Sequence, residues 1–419
     1  MIARIRGNSK IEGEITVGGA KNSALPVLAS LVLISEEIKI EKIPDISDVS
    51  EMISMIRSAG VAVSFEKNTV LARPSNLKGE IREFGSSIRA SILLLGPLAV
   101  RTGHAELRYP GGCSIGKRSI DIHIEGLKKL GISVNEKNDM IEAIFDKVLK
   151  DVRIDLRFPS VGATEHLMMT SVLLNGIHTE IRNCAKEPEI VDLGKFLNSM
   201  GAKISGVGTD RISIDGVKKL NASVHSIIGD RIETGTYIIG ALSSGGMLKI
   251  NGISNTVMHN VTKELKKIGA RITASENALI VYPSDLRPFK LSTGPYPQFP
   301  TDLQPQMTLL ACHVNGHSEI TETVFENRFR HVDELKKMGA NISVEKNKIE
   351  VMPSKLHGAK LVGNDLRETA TILFAAATAD GPSEIEKFEI IFRGYENIYK
   401  KLKDIGIDFE ILKIDREVS

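Results

Sequence analysis

Tryptophan is absent from this chain of 419 residues, and aromatic residues make up only 5% of it. A stacking platform for bases or sugars needs ring faces, so that mode of recognition is set aside. Cysteine is almost as scarce. Cys113, Cys184 and Cys312 lie too far apart for a disulfide framework or a zinc site, which fits a reducing compartment. No excess of one charge exists either: 54 Lys and Arg against 52 Asp and Glu give a net charge of +2, which offers little to nucleic acid or to an anionic membrane. No apolar run approaches the ~20 residues of a membrane span; the longest, residues 90–100, is broken by Gly96 and Pro97. The opening MIARIRGNSKIEGEI has no apolar segment of the secretory kind. A cytoplasmic protein without a nucleic-acid or membrane partner is expected.

What the chain does have is a repeat. The segments IRSAGVAVS, LKKLGISVN, LNSMGAKIS, LKKIGARIT, LKKMGANIS and LKDIGIDFE each run from a helix end through glycine into an alternating strand. Their glycines, Gly60, Gly131, Gly201, Gly269, Gly339 and Gly406, are spaced by 71, 70, 68, 70 and 67 residues. Glycine belongs there because a helix stopping in a left-handed turn favours a residue without a Cβ. Upstream of each lies a helix apolar on all sides, over residues 23–34, 88–100, 164–174, 233–242, 303–313 and 367–379, the mark of a buried helix. Alternating strands follow five of these helices, in HAELRYP, HTEIRN, MLKINGI, HSEITET and SEIEKF. A unit of about 70 residues can hardly build a core alone, so three units per core, twice over, are expected, with a join near residue 230. The alternative is a six-unit solenoid, although solenoid periods usually run ~20–50 residues.

Charged residues crowd the starts of the buried helices: Lys21, Arg89, Asp230 with Arg231, Asp302, and Asp365 with Arg367. A basic residue gains nothing from a helix N-terminus; solvated surface charge is the plainer reading at any one position, but recurrence beside buried segments favours a bound phosphate or diphosphate. Residues 110–123, PGGCSIGKRSIDIH, surround Cys113 with Gly111, Gly112 and Gly116 and follow it with Lys117 and Arg118. Such a loop is mobile, and its cations would favour a thiolate or an anionic substrate. GVGTDR lacks the third glycine of a dinucleotide fingerprint, and no phosphate-loop GxxxxGK[ST] occurs. His313 and His317 are separated by Gly316 at a helix end, and the ten histidines show no carboxylate cluster. No metal and no organic cofactor is expected.

The stretches GGAKNSALP, RASILLLGPLA, PGGCSIGKRSIDIHI, PSVGAT, AKEPEIVD, GTDRISIDGV, DRIETGT, FPTDLQPQ, TETVFENRF, DLRETA and RGYENI resemble, in order, the UDP-N-acetylglucosamine 1-carboxyvinyltransferases. The likeness runs from about residue 4 to residue 408. It implies an α/β (α+β) fold of two similar domains, each of three repeated units, the inside-out α/β barrel of the enolpyruvyl transferases. One domain would span residues 21–229, and the other residues 1–20 with 230–419, with the active site in the cleft between them. The implied reaction passes the enolpyruvyl group of phosphoenolpyruvate to the 3′-hydroxyl of UDP-N-acetylglucosamine, the entry to peptidoglycan synthesis, without metal or cofactor.

By this resemblance, Lys21, Arg118 and Arg393 hold phosphoenolpyruvate, with Asn22 beside them. Cys113 is the loop thiol that donates a proton and is open to alkylation by fosfomycin, and Asp302 takes the sugar proton. Arg89, Arg118, Ser119, Ile120, Asp121, Ile122, Phe158, Pro159, Ser160, Val161, Asp302 and Val324 would line the UDP-sugar site, with Asp365 and Arg367 in support. Ser119 stands where the family has proline, and Ile390, Ile391 and Phe392 stand where it has His-Ile-Asp. Related alternatives are the transferase acting on 3-phosphoshikimate, a divergent paralogue, and a non-catalytic UDP-sugar binder. The first would show a GSKS-type start and no Gly-Gly-Cys loop, and the binder would need neither Cys113 nor Asp302.

Overall fold

All six repeat glycines turn left-handed. In the computed structural model, which describes residues 1–81, 88–111, 120–146 and 150–412, Gly60, Gly131, Gly201, Gly269, Gly339 and Gly406 have φ between 79° and 105°. Each ends an amphipathic helix. In Asn255–Lys267 the buried residues are Met258, Val261, Thr262 and Leu265, one stripe at helical spacing. The other helix of each repeat has no polar face. Every residue from Arg231 to Ser243 is buried, as is every residue of Gln304–Cys312.

The boundaries shift where chain geometry intervenes. The expected helix over 88–100 is a 3-10 turn, Arg89–Leu94, followed by the α-helix Leu95–Thr102. Likewise the 23–34 helix is Lys21–Ala29 and then the 3-10 turn Ser30–Leu33.

Among the described residues, strands form six separate four-stranded sheets. The barrel in the expected description is therefore not a closed one among the described residues; the helices are inside and the sheets are not joined edge to edge. In the second repeat, Glu80–Ile81 runs parallel to His104–Arg108, the buried helix making the crossover that parallel strands require. Met140–Phe145 then pairs antiparallel with His104–Arg108 and with Ile132–Lys137.

The described residues make two compact units, one of residues 19–228 and one of residues 1–18 with those from 229 onward. Each has its own core. In the first, Ser223–Ser226 returns to pair in parallel with Ile38–Glu41 and closes the ring of three repeats. In the second the chain's opening residues do this work. Gly13–Thr16 pairs in parallel with Leu248–Asn251, and Ile2–Ile5 lies between Ser383–Glu386 and Phe409–Leu412, antiparallel to both.

A Cβ at Gly60 would lie 2.0 Å from the carbonyl oxygen of Asn76, whereas at Gly103, also left-handed, nothing lies within 4 Å. Both alanine variants carry the left-handed penalty of about 1–2 kcal/mol. Gly60→Ala is expected to lose clearly more stability than Gly103→Ala in urea unfolding, because its backbone must also move.

Candidate active site

In the unit of residues 19–228, Lys21 is the first residue of the helix Lys21–Ala29, whose start has no side-chain cap. Its Nζ lies 2.7 Å from Oδ2 of Asp48, and both side chains are largely buried. Asp48 thus supplies the charge that makes a lysine tolerable at a positive helix end, and Asn22 follows it, half-buried. Two residues further in, the Ser23 hydroxyl donates to Asp192, whose other oxygen is 3.1 Å from Nε2 of His225.

Arg89 begins its 3-10 turn half-buried. Burial raises the Tyr109 phenol above its ordinary value, Glu136 adds to this, and the Arg89 charge opposes it. Asp121 opens the helix Asp121–Lys129 between the buried Ile120 and the half-buried Ile122, and accepts from the Ile122 N–H at 2.9 Å. Arg157 pairs with Asp121 and, at 2.7 Å, with Glu125. It thereby ties this helix start to Phe158 and Pro159, with Phe158 40% exposed. Ser160 caps the helix Val161–Ser171 by accepting from the Ala163 N–H.

Behind these starts, the Nδ1 atoms of His123 and His166 are 3.1 Å apart, and Nε2 of His166 accepts from the Gly96 N–H. Burial, then His123, pushes the His166 imidazole well below its usual value, so it is neutral. With Nε2 accepting, its proton is on Nδ1 and is donated to His123. Glu165 is driven the other way, well above the carboxylate range, by burial and then by Glu189 and Glu187.

In the second unit, Asp302 lies in the turn Thr301–Leu303 before the helix Gln304–Cys312. Oδ1 accepts from Arg328 at 2.8 Å, and Oδ2 is 3.6 Å from Arg367. Both arginines are at least 95% buried, while Asp302 is 27% exposed. Burial works against the Arg367 charge, but Tyr395, Asp302 and Asp230 raise its pKa on balance. Its guanidinium lies 5.6 Å from the centre of the Tyr395 ring, and its Nη1 meets no hydrogen-bond acceptor among the described residues. Asp230 and Asp365 are N-caps, each accepting from two backbone N–H groups of its helix; for these two, the charge at the helix start is structural. The N–H of Val324 is held at 2.7 Å by Glu322, which also accepts from Thr301.

Arg393 ends the turn Phe388–Arg393. Gly394 beside it packs on Leu366, so that an added Cβ would be 2.5 Å from Leu366 Cδ2; this brings Arg393 to the start of the Arg367 helix. Cys113, Lys117, Arg118 and Ser119 lie outside the described residues. The sequence reading missed Asp48, Arg157 and Arg328 as site residues. Only Arg328 had a signal, since it sits in TETVFENRF.

A family model described as EPSP synthase (3-phosphoshikimate 1-carboxyvinyltransferase) matches residues 5–402. The chain is 44% identical over 414 residues to the UDP-N-acetylglucosamine 1-carboxyvinyltransferase of Thermotoga maritima, covering 98% of both. To the protein of the same name from Acinetobacter baylyi it is 40% identical over 407 residues, covering 96% and 97%. The chain belongs to the UDP-N-acetylglucosamine 1-carboxyvinyltransferase family.

Among solved structures, the enolpyruvyl transferase NikO from Streptomyces tendae matches with a TM-score of 0.88 at 23% identity over 98% of each chain. EPSP synthase from Acinetobacter baumannii matches with 0.78 at 16%, covering 98% of this chain and 100% of that one. These two show the shared fold. For a member of this carboxyvinyltransferase family, the unusual residues before Arg393 have a packing role. Ile391 is fully buried, Ile390 and Phe392 pack on the core, and Phe392 meets the Tyr399 ring edge-on at 5.5 Å.

Beneath Arg328, Nε2 of His331 is 3.0 Å from the Thr308 hydroxyl. Burial, then the Arg328 charge, lowers this imidazole from 6.5 to about 3. The unfolded chain takes up that proton below about 6.5 and the native chain does not. The stability contributed by neutral His331 is therefore complete above that pH and drains as pH falls toward about 3. Glu368, raised by burial from 4.5 to about 7, acts in the opposite sense, so a variant comparison is needed. Between pH 6.5 and 4.5 the stability gap between wild type and His331→Gln, measured by urea unfolding, should narrow by about 2–3 kcal/mol.

Proposed function

We propose that this protein transfers the enolpyruvyl group from phosphoenolpyruvate to the 3′-hydroxyl of UDP-N-acetylglucosamine. It would act in the cytoplasm as the first committed step of peptidoglycan synthesis, and so serve cell-wall growth, cell shape and division. The observation that carries this reading is 44% identity over 98% of the chain to a relative of that name. In support, Asp302 sits between two buried guanidinium groups yet keeps a solvent-reachable edge. A carboxylate held in place with one edge open can reach a substrate hydroxyl.

In this reading Asp302 removes the proton of the sugar hydroxyl as its oxygen bonds to C2 of phosphoenolpyruvate. The Cys113 thiol delivers a proton to C3. The resulting tetrahedral adduct then returns a proton from C3 to the Cys113 thiolate and breaks its C2–O bond to phosphate, forming the enol ether. Lys21, Arg118 and Arg393 neutralise the phosphate and carboxylate, whose charge shifts during both steps. Arg89, Asp121, Phe158 and Val324, with their neighbours Ser119, Ile120, Ile122, Pro159, Ser160 and Val161, hold the UDP-sugar. Arg367 and Arg328 orient Asp302.

Mixing the protein with both substrates should release phosphate, and substituting 3-phosphoshikimate for the UDP-sugar should release none. Asp302→Ala should lower turnover by at least 10²-fold while UDP-sugar affinity, measured by calorimetry, changes little; near-normal turnover removes Asp302 from the mechanism. Fosfomycin with UDP-sugar present should add its mass once, at Cys113, and an unmodified intact mass would contradict that role.

A further inference from the structure

Three helices of the second unit bring polar side chains together inside an otherwise apolar core. Thr236 comes from Arg231–Ser244, Gln306 from Gln304–Cys312 and Arg367 from Leu366–Thr378, and Tyr395 follows the turn Phe388–Arg393. None of the four is more than 4% exposed. The Thr236 hydroxyl lies 2.9 Å from the Tyr395 phenol oxygen, and the Gln306 amide donates to it at 3.2 Å. At the other end, the phenol is hydrogen-bonded to the Arg367 guanidinium, which stands 3.6 Å from Oδ2 of Asp302.

Counting hydrogens gives this string a direction. A threonine hydroxyl has one hydrogen and two lone pairs. Its hydrogen goes to the Ile232 carbonyl, 2.8 Å away, since two oxygens that close with no hydrogen between them would repel. Gln306 fills one lone pair, so the other accepts from Tyr395. Burial raises the Tyr395 phenol above its ordinary value, against the pull of the Arg367 charge, so the hydrogen to donate is present at neutral pH. With that hydrogen committed to Thr236, the phenol oxygen offers Arg367 lone pairs, which suits a group made entirely of donors. Nη1 of Arg367 has no acceptor among the described residues, and the guanidinium leans on Tyr395 and Asp302 for its place.

We propose that Tyr395 and Thr236 are positioning residues for Asp302: Thr236 turns the phenol, and the phenol fixes the Arg367 guanidinium against the Asp302 carboxylate. The inference rests on the reading of Asp302 as the group that takes the sugar proton. Such a group must be held accurately, because a slip of about 1 Å can cost on the order of 10²-fold in rate. The string is suited to that task, since its members are buried and anchored on different helices.

Thr236→Val keeps the shape of the side chain and removes its hydroxyl; Tyr395→Phe keeps the ring and removes the phenol oxygen. In phosphate-release assays each should lower kcat roughly tenfold or more and leave the KM for the UDP-sugar within about twofold. Because both act through one bond, the double variant should be no slower than the slower single one. Thr236→Ser, which restores the hydroxyl, should recover most of the rate. Thr262→Val is the control: that buried hydroxyl bonds to carbonyls of its own helix, and its loss should leave kcat unchanged. Crystal structures of Thr236→Val and Tyr395→Phe should show the Arg367 guanidinium displaced from Asp302. Folded single variants with near-normal kcat, losses that multiply in the double variant, a Thr236→Ser variant as slow as Thr236→Val, or an unmoved Arg367 would each overturn the proposal. If the wild type itself releases no phosphate, the assignment of the reaction fails instead, and the crystal structures still decide whether the string holds Arg367.

Discussion

A helix that is apolar on every side has to be surrounded, and the described residues contain six such buried helical segments. No repeat can surround its own helix with one amphipathic helix and a four-stranded sheet. The helices therefore shelter one another three at a time, and the sheets are left on the outside with one face in water. Because the core is made of whole helices, polar chemistry is confined to their ends. That is where Lys21, Arg89, Ser160, Asp302 and Arg367 are found.

Buried charge at those ends is tolerated only because it is matched. Lys21 has Asp48, Lys401 has Glu233 at 2.6 Å, and Asp302 has Arg328 and Arg367. Removing one member of such a pair strands the other in a poor solvent, which is far worse than losing both. The pairs thus fix side-chain positions more than they add stability. Arg367, clamped by the Tyr395 ring and the Asp302 carboxylate, keeps one donor unmet within the described residues.

The sequence made the repeat legible because a left-handed glycine and a polar-free helix leave marks at fixed spacing. All six glycines and all six buried helices are where that spacing puts them. The 3-10 turns at Ser30–Leu33 and Arg89–Leu94 left no such mark, since apolar residues look alike in either winding. Asp230 and Asp365 were legible as charges at helix starts, but not as caps, because a cap is recognised by its hydrogen bonds. Contacts between distant segments were invisible altogether: Asp48 with Lys21, Arg157 with Asp121, and Thr236 with Tyr395 depend on packing. Ile390 to Phe392 read as a lost carboxylate, and the fold uses them as core.

The position of Ile2–Ile5 between Ser383–Glu386 and Phe409–Leu412 has a consequence for biogenesis. Ile2–Ile5 must wait for both of these later strands to be translated before it finds its neighbours. Residues 19–228, by contrast, contain every strand of their own ring and can complete it while synthesis continues. Vectorial synthesis thus orders the two halves in time, and Ile2–Ile5 acts as a late-closing clasp that stays open until residues 383–412 are made.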